Sequence, residues 1–139
     1  MERVYTIDGA RFNTLDDFYH EITSVLIPNA QWGRTLDAFD DIFAGGFGTP
    51  DNGFVICWQN ASLSRERLGH EETACQLERM LEHCHRDNRE QVLRRLNAAR
   101  ERQGETVFDW IVAIIQSHAK DGVRLDLHDY ASPPMRSSQ

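Results

Sequence analysis

Trp32-Gly33-Arg34-Thr35-Leu36-Asp37-Ala38-Phe39-Asp40-Asp41-Ile42-Phe43 is the stretch from which the fold of this chain unfolds in both directions. At about 100° per residue, Leu36, Phe39 and Phe43 share the inward stripe of a short helix, while Asp37 and Asp41, one turn apart, fall together on the other side. Carboxylates at that spacing repel by ~0.2–0.5 kcal/mol in a solvated helix, so a purely structural helix gains nothing from them. A cationic partner would turn that repulsion into attraction. A solubilising acidic face is the plainer alternative, because charge runs usually are solvated surfaces.

The glycines of Ala44-Gly45-Gly46 suit the end of this helix, since glycine readily takes the left-handed cap conformation. Residues 47–53, rich in Gly, Pro, Asp and Asn, read as a loop. Phe54 to Trp58 is a continuous apolar run, as expected of a strand covered on both sides. Upstream, Arg3 to Ile7 reads as a first strand, turned by Asp8-Gly9. Thr14 can cap a helix from Leu15 to Leu26, with Asp17 reaching back to the cap and Pro28 stopping the run. Leu15, Phe18, Tyr19, Ile22 and Val25/Leu26 give it one buried side. Downstream, Val107, Trp110, Ile111, Ile114, Ile115 and His118 follow helical spacing, Gly122 follows as a cap, and Val123, Leu125 and Leu127 alternate with Arg124 and Asp126 as an edge strand. The order predicts an α/β fold, a small three-stranded parallel sheet packed with helices and connected right-handedly. One domain is expected over residues 1–130, with a flexible tail at 131–139.

The acidic segment resembles the inhibitor-bearing helix of the barstar family, intracellular inhibitors of barnase-like ribonucleases. The residues that carry the likeness are Trp32-Gly33, Leu36-Asp37-Ala38-Phe39 and Asp41, preceded by Pro28 and followed by Gly45. Tyr5 to Gly9 looks like that family's first strand and turn, Asn13 to Tyr19 like its first helix, Gly53 to Trp58 like its second strand, and Phe108 to Leu127 like its closing helix and strand. The resemblance covers residues 3–60 and about 106–128, leaving 61–105 as a helical insertion. It implies occlusion of a ribonuclease active site by the acidic helix and the loop before it. Asp41 would be the central anchor, Asp37 the second charge, Trp32 an aromatic of the preceding loop, and Gly45, with Gly46 beside it, the point where backbone nears the partner. Two positions depart from the family's prototype: an aromatic is replaced by Asp40, which places a further charge beside the anchor, and a partner-contacting glutamate of the closing helix is replaced by Ser117.

Length, 40% hydrophobic and 27% charged residues fit a single globular core. No apolar run approaches a membrane span and Met-Glu-Arg-Val-Tyr lacks a signal peptide's apolar centre, so a cytoplasmic protein is expected. Three cysteines without framework spacing fit reduced thiols, with Cys57 a buried small hydrophobe. Between Ser62 and Glu105 nine Arg balance nine acids, so the net charge of −7 belongs to the rest of the chain. Such a surface repels nucleic acid and attracts a basic protein.

Within 61–105, Leu63 to Leu68 suggests a turn or two, Glu71 to Cys84 a helix with Ala74, Leu77 and Leu81 inward, and Asn88 to Gln103 another with Val92, Leu93, Leu96 and Ala99 inward. A helical hairpin packed beside the core is the simplest account, and a homodimer surface or second target contact the functional one. Cys75, His83, Cys84 and His85 have zinc-ligand chemistry, but on one helix they fan around the axis and do not converge, so neither metal nor cofactor is expected. Asp37 and Asp41 as a glycosidase pair would need an enclosed site that nothing nearby supplies, and no nucleophile triad or phosphate-binding glycine loop is present, so no enzyme is expected. The leading expectation is an inhibitor or immunity protein for a basic ribonuclease or another basic protein. The alternative is a non-inhibitory interaction module acting through the helical insert.

Overall fold

The computed structural model describes residues 3–28, 33, 35–43 and 53–129. Strands β1 (Val4–Asp8), β2 (Phe54–Gln59) and β3 (Val123–Leu127) form one sheet in the order β1-β2-β3. Both pairs are parallel, with Ile7 opposite Trp58 and Ile56 opposite Leu125. As the middle strand, β2 has helices and neighbours around it, which explains a sequence without polar alternation. β3 is the edge its alternation predicts, except that Leu127, at the strand's end, is 38% exposed. Gly53, just before β2, has φ of 99° and lies so close to the Gly122 backbone that a side chain would not fit between the starts of β2 and β3.

The helices are α1 (Leu15–Leu26), α2 (Leu36–Ile42), α3 (Ala61–Arg67), α4 (His70–His83), α5 (Arg89–Arg100) and α6 (Val107–Gln116). α1 starts where its cap predicts, the Thr14 hydroxyl accepting from the Asp17 N–H at 3.1 Å. The Asp17 carboxylate returns its bond to the Asn13 N–H, one residue earlier than a capping box places it. A second acceptor comes from far along the chain: Glu72 Oε2 takes the Leu15 N–H at 2.9 Å, so α4 helps to satisfy the open donors at the start of α1. α6 begins with a full capping box of Thr106 and Asp109, a signal the sequence carries at Thr-x-x-Asp.

The main core gathers Ile7, Phe12, Phe18, Ile22, Phe39, Ile42, Phe54, Ile56, Trp58 and Ile111 from sheet and helices. Phe18 stacks on Trp58 at 5.5 Å and meets Phe39 edge to face at 5.5 Å. Offset and edge contacts of this kind satisfy the ring quadrupoles as well as burying area.

The segment from 61 to 105 divides in two. Ala61, Ser64 and Leu68 are fully buried in or against the main core, and the Ser64 hydroxyl accepts from the Trp58 indole N–H at 2.9 Å. α3 is therefore a part of the core and not of a peripheral hairpin. α4 and α5 pack on each other around a second, small cluster of Leu77, Val92, Leu96 and Ala99. Leu93, expected inward, is 37% exposed, because α5 is rotated to face α4 with Val92 and Leu96. α5 also stops earlier than its polar continuation suggests: Arg102 takes a left-handed φ of 59°, which ends the helix. Trp110 of α6 packs against both clusters and joins them. Cys57, expected to be buried, is partly exposed on β2, because its side of the sheet is incompletely covered there.

Candidate acidic binding face

α2 is seven residues long and opens on a cap the sequence reading overlooked, the Thr35 hydroxyl accepting from the Ala38 N–H at 3.1 Å. Its buried side is Phe39, Ile42 and Phe43, with Leu36 only partly covered. Phe43 stacks on Phe54 at 5.9 Å and meets Phe39 edge to face at 5.1 Å, which fixes the helix on the sheet. The opposite side carries Asp37, Asp40 and Asp41, all exposed. Asp37 and Asp41 form no ion pair with any described residue. Trp32, Gly45 and Gly46, expected beside them, lie outside the described residues.

Asp40 differs from its neighbours. Its Oδ1 lies 2.5 Å from His118 Nε2, and His118 Nδ1 lies 3.0 Å from Asp121 Oδ2. The histidine side chain is only 12% exposed and its ring packs on Phe43 at 5.0 Å. Burial of the ring opposes its charge, but the hydrogen bonds and charges of Asp121 and Asp40 outweigh this and raise its pKa above the usual histidine value. The charge that Asp40 adds next to Asp41 is thus engaged within the chain. Ser117, beside it, turns its hydroxyl back to the Ile114 carbonyl at 2.6 Å and brings no charge to this face.

Asp37 also borders an open cleft of about 510 Å³ walled by Tyr19, Arg79, Met80, Arg95 and Trp110, so α4 and α5 stand next to the acidic helix. Both arginines are engaged elsewhere: Arg79 with Asp16 at 3.1 Å and Arg95 over the Trp110 ring at 5.0 Å. Cys75, His83, Cys84 and His85 do not converge, and among the described residues no three His, Cys, Asp or Glu side chains are grouped to hold a metal. Nor, among those residues, is any helix long and apolar enough to cross a membrane.

The described residues thus form a small parallel α/β sheet with a short helix that turns three carboxylates outward. The model of the barstar family, described as barnase inhibitors, matches residues 2–95, and the chain belongs to that family. The match runs through 61–95, which the sequence reading sets outside the resemblance, and ends before α6 and β3, which it sets inside. No curated protein matches the chain.

Proposed function

We propose that this chain is an intracellular inhibitor of a basic, barnase-like ribonuclease, and that α2 with the loop before it fills the enzyme's cationic active site. The observation that carries the proposal is the pair Asp37 and Asp41, exposed on a helix pinned by Phe39, Ile42 and Phe43 and unpaired with any described residue. Buried aromatics hold the helix still, so its charges are placed in advance and little ordering is lost on binding. Asp41 is the main anchor, Asp37 the second charge one turn away, and Trp32, Gly45 and Gly46 complete the contact. A surface that owes its acidity to the segments outside 62–105 steers a basic enzyme toward this face.

The test is titration of the purified chain against a small basic ribonuclease of the barnase type, reading RNA cleavage and Kd at low and high salt. Close charge pairs couple by ~1.5–7 kcal/mol, a range taken from the barnase and barstar pair itself and not worked out for this chain. Asp41→Ala is therefore expected to weaken binding by at least about tenfold, and wild-type affinity to fall as salt rises. Binding that survives Asp41→Ala and disappears only when residues 71–103 are altered would overturn the proposal in favour of an interaction module built on α4 and α5.

A further inference from the structure

We propose that His118 is a positioning residue for the acidic face: its ring bridges Asp40 on α2 to Asp121 beyond α6, and so fixes the orientation in which α2 presents Asp41. The inference rests on the inhibitory reading for the importance of Asp41, and extends it to a residue outside the contact set proposed above.

The geometry is two-sided. Both ring nitrogens face carboxylate oxygens, Nε2 toward Asp40 at 2.5 Å and Nδ1 toward Asp121 at 3.0 Å. An ionised carboxylate only accepts, and a neutral imidazole has a single N–H, so the neutral ring can donate to one of the two acids but not both. The imidazolium donates to both. Completing the bridge therefore requires the proton.

The residue is itself held firmly. Its N–H donates to the Ile115 carbonyl at 3.1 Å, and its own carbonyl accepts from Asp121 at 2.9 Å and Val123 at 3.2 Å, which locks it to the start of β3. The ring lies on Phe43, the residue that closes α2. Phe39, Ile42 and Phe43 hold α2 from its buried side, and the bridge adds a hold from its exposed side to a helix of only seven residues. Among the described residues, no other hydrogen bond joins α2 to a different element. The groups facing the ring are Asp40 and Phe43 from the α2 side and Asp121 from the turn after α6. The raised pKa of the ring follows from the same two acids and extends the bridged state upward in pH.

The experiment follows the free protein, so the result stands apart from whether a ribonuclease binds. The His118 ring is titrated by NMR, and amide hydrogen exchange of Phe39 to Phe43 is measured across the same pH range, corrected for intrinsic exchange, in wild type, His118→Gln and Asp40→Asn. Asp40→Asn is expected to lower the ring's titration midpoint. Below the wild-type midpoint, His118→Gln is expected to reduce α2 protection by about fivefold to tenfold, the scale of a charge-assisted bond discounted for exposure. Raising the pH past that midpoint is expected to reduce wild-type protection likewise, with Leu15 to Leu26 unchanged. Identical titration of the ring with and without Asp40, or equal α2 protection on both sides of the midpoint, would overturn the proposal. Should His118→Gln fail to fold, Asp40→Asn and the wild-type pH series still decide it.

Discussion

Neutralising Asp40 and Asp41 one at a time should move stability in opposite directions, although the two residues are adjacent on the same exposed side of α2. Asp41 has no ion pair with a described residue, and it repels Asp37 one turn away. Asp41→Asn removes that repulsion, worth ~0.2–0.5 kcal/mol, and takes nothing else from the folded state. Asp40→Asn weakens a bond at 2.5 Å to a histidine that is 12% exposed. Such bonds contribute about 1.5–3 kcal/mol when sheltered, and with the carboxylate half exposed about 1 kcal/mol is a fairer figure. For a chain of this size 1 kcal/mol shifts Tm by roughly 3 °C. Thermal unfolding followed by circular dichroism at pH 6 should therefore place Asp41→Asn about 1 °C above wild type and Asp40→Asn about 3 °C below it.

The pH dependence follows from the direction of the histidine shift. The folded-state pKa of His118 is raised, so its contribution is complete below the unfolded value of about 6.5 and is lost as pH climbs through the folded value. The penalty of Asp40→Asn should accordingly shrink by pH 9, while the small gain from Asp41→Asn persists. Equal destabilisation by both substitutions at pH 6, or an Asp40→Asn penalty unchanged at pH 9, would refute the reasoning.

Trp58→Phe removes the indole donor from the fully buried Ser64 hydroxyl and leaves a gap beside Phe18, so urea unfolding should register a loss of about 2–4 kcal/mol. Gly9→Ala places a methyl group against the Ser64 hydroxyl and 2.6 Å from the Asn60 carbonyl, and a destabilisation of about 1–3 kcal/mol is expected in the same assay. Glu72→Ala strips the Leu15 N–H of its acceptor, and hydrogen exchange should show faster opening at the start of α1, with about 1 kcal/mol lost, whereas Glu72→Gln should retain most of the bond.

The elements that could be placed from sequence were those with a period and a punctuation mark. α1 had its stripe and Thr14, β2 its unbroken apolar run, and β3 its alternation after Gly122. The exposure of Asp37 and Asp41 was legible for the same reason: helical spacing separates them from Phe39. The less legible features depend on contacts distant in sequence. Nothing local to Ser64 says that it meets an indole, which is why the sequence shows residues 63–68 only as a turn or two within an insertion and not as a helix of the core. The pairing of Asp40 with His118 spans 78 residues, and no periodicity reports an acid on one helix meeting a histidine at the end of another. Thr35 does carry a local signal, as a threonine immediately ahead of the first helical residue, Leu36.

Trp110 ties the α4–α5 pair to the last third of the chain. The cluster between α4 and α5 has Leu77, Val92, Leu96 and Ala99 at its centre, with Ala74, Met80, Leu81 and Cys84 packed around them and Trp110 added from α6. Trp110 belongs to α6, which follows both helices in the chain. As the polypeptide is synthesised, α4 and α5 emerge before that indole. The contact with Trp110 waits for the last third of the chain, as does the pairing of β2 with β3. The wall they raise beside Asp37 thus includes a residue of α6, the helix that also leads the chain to His118 and α2.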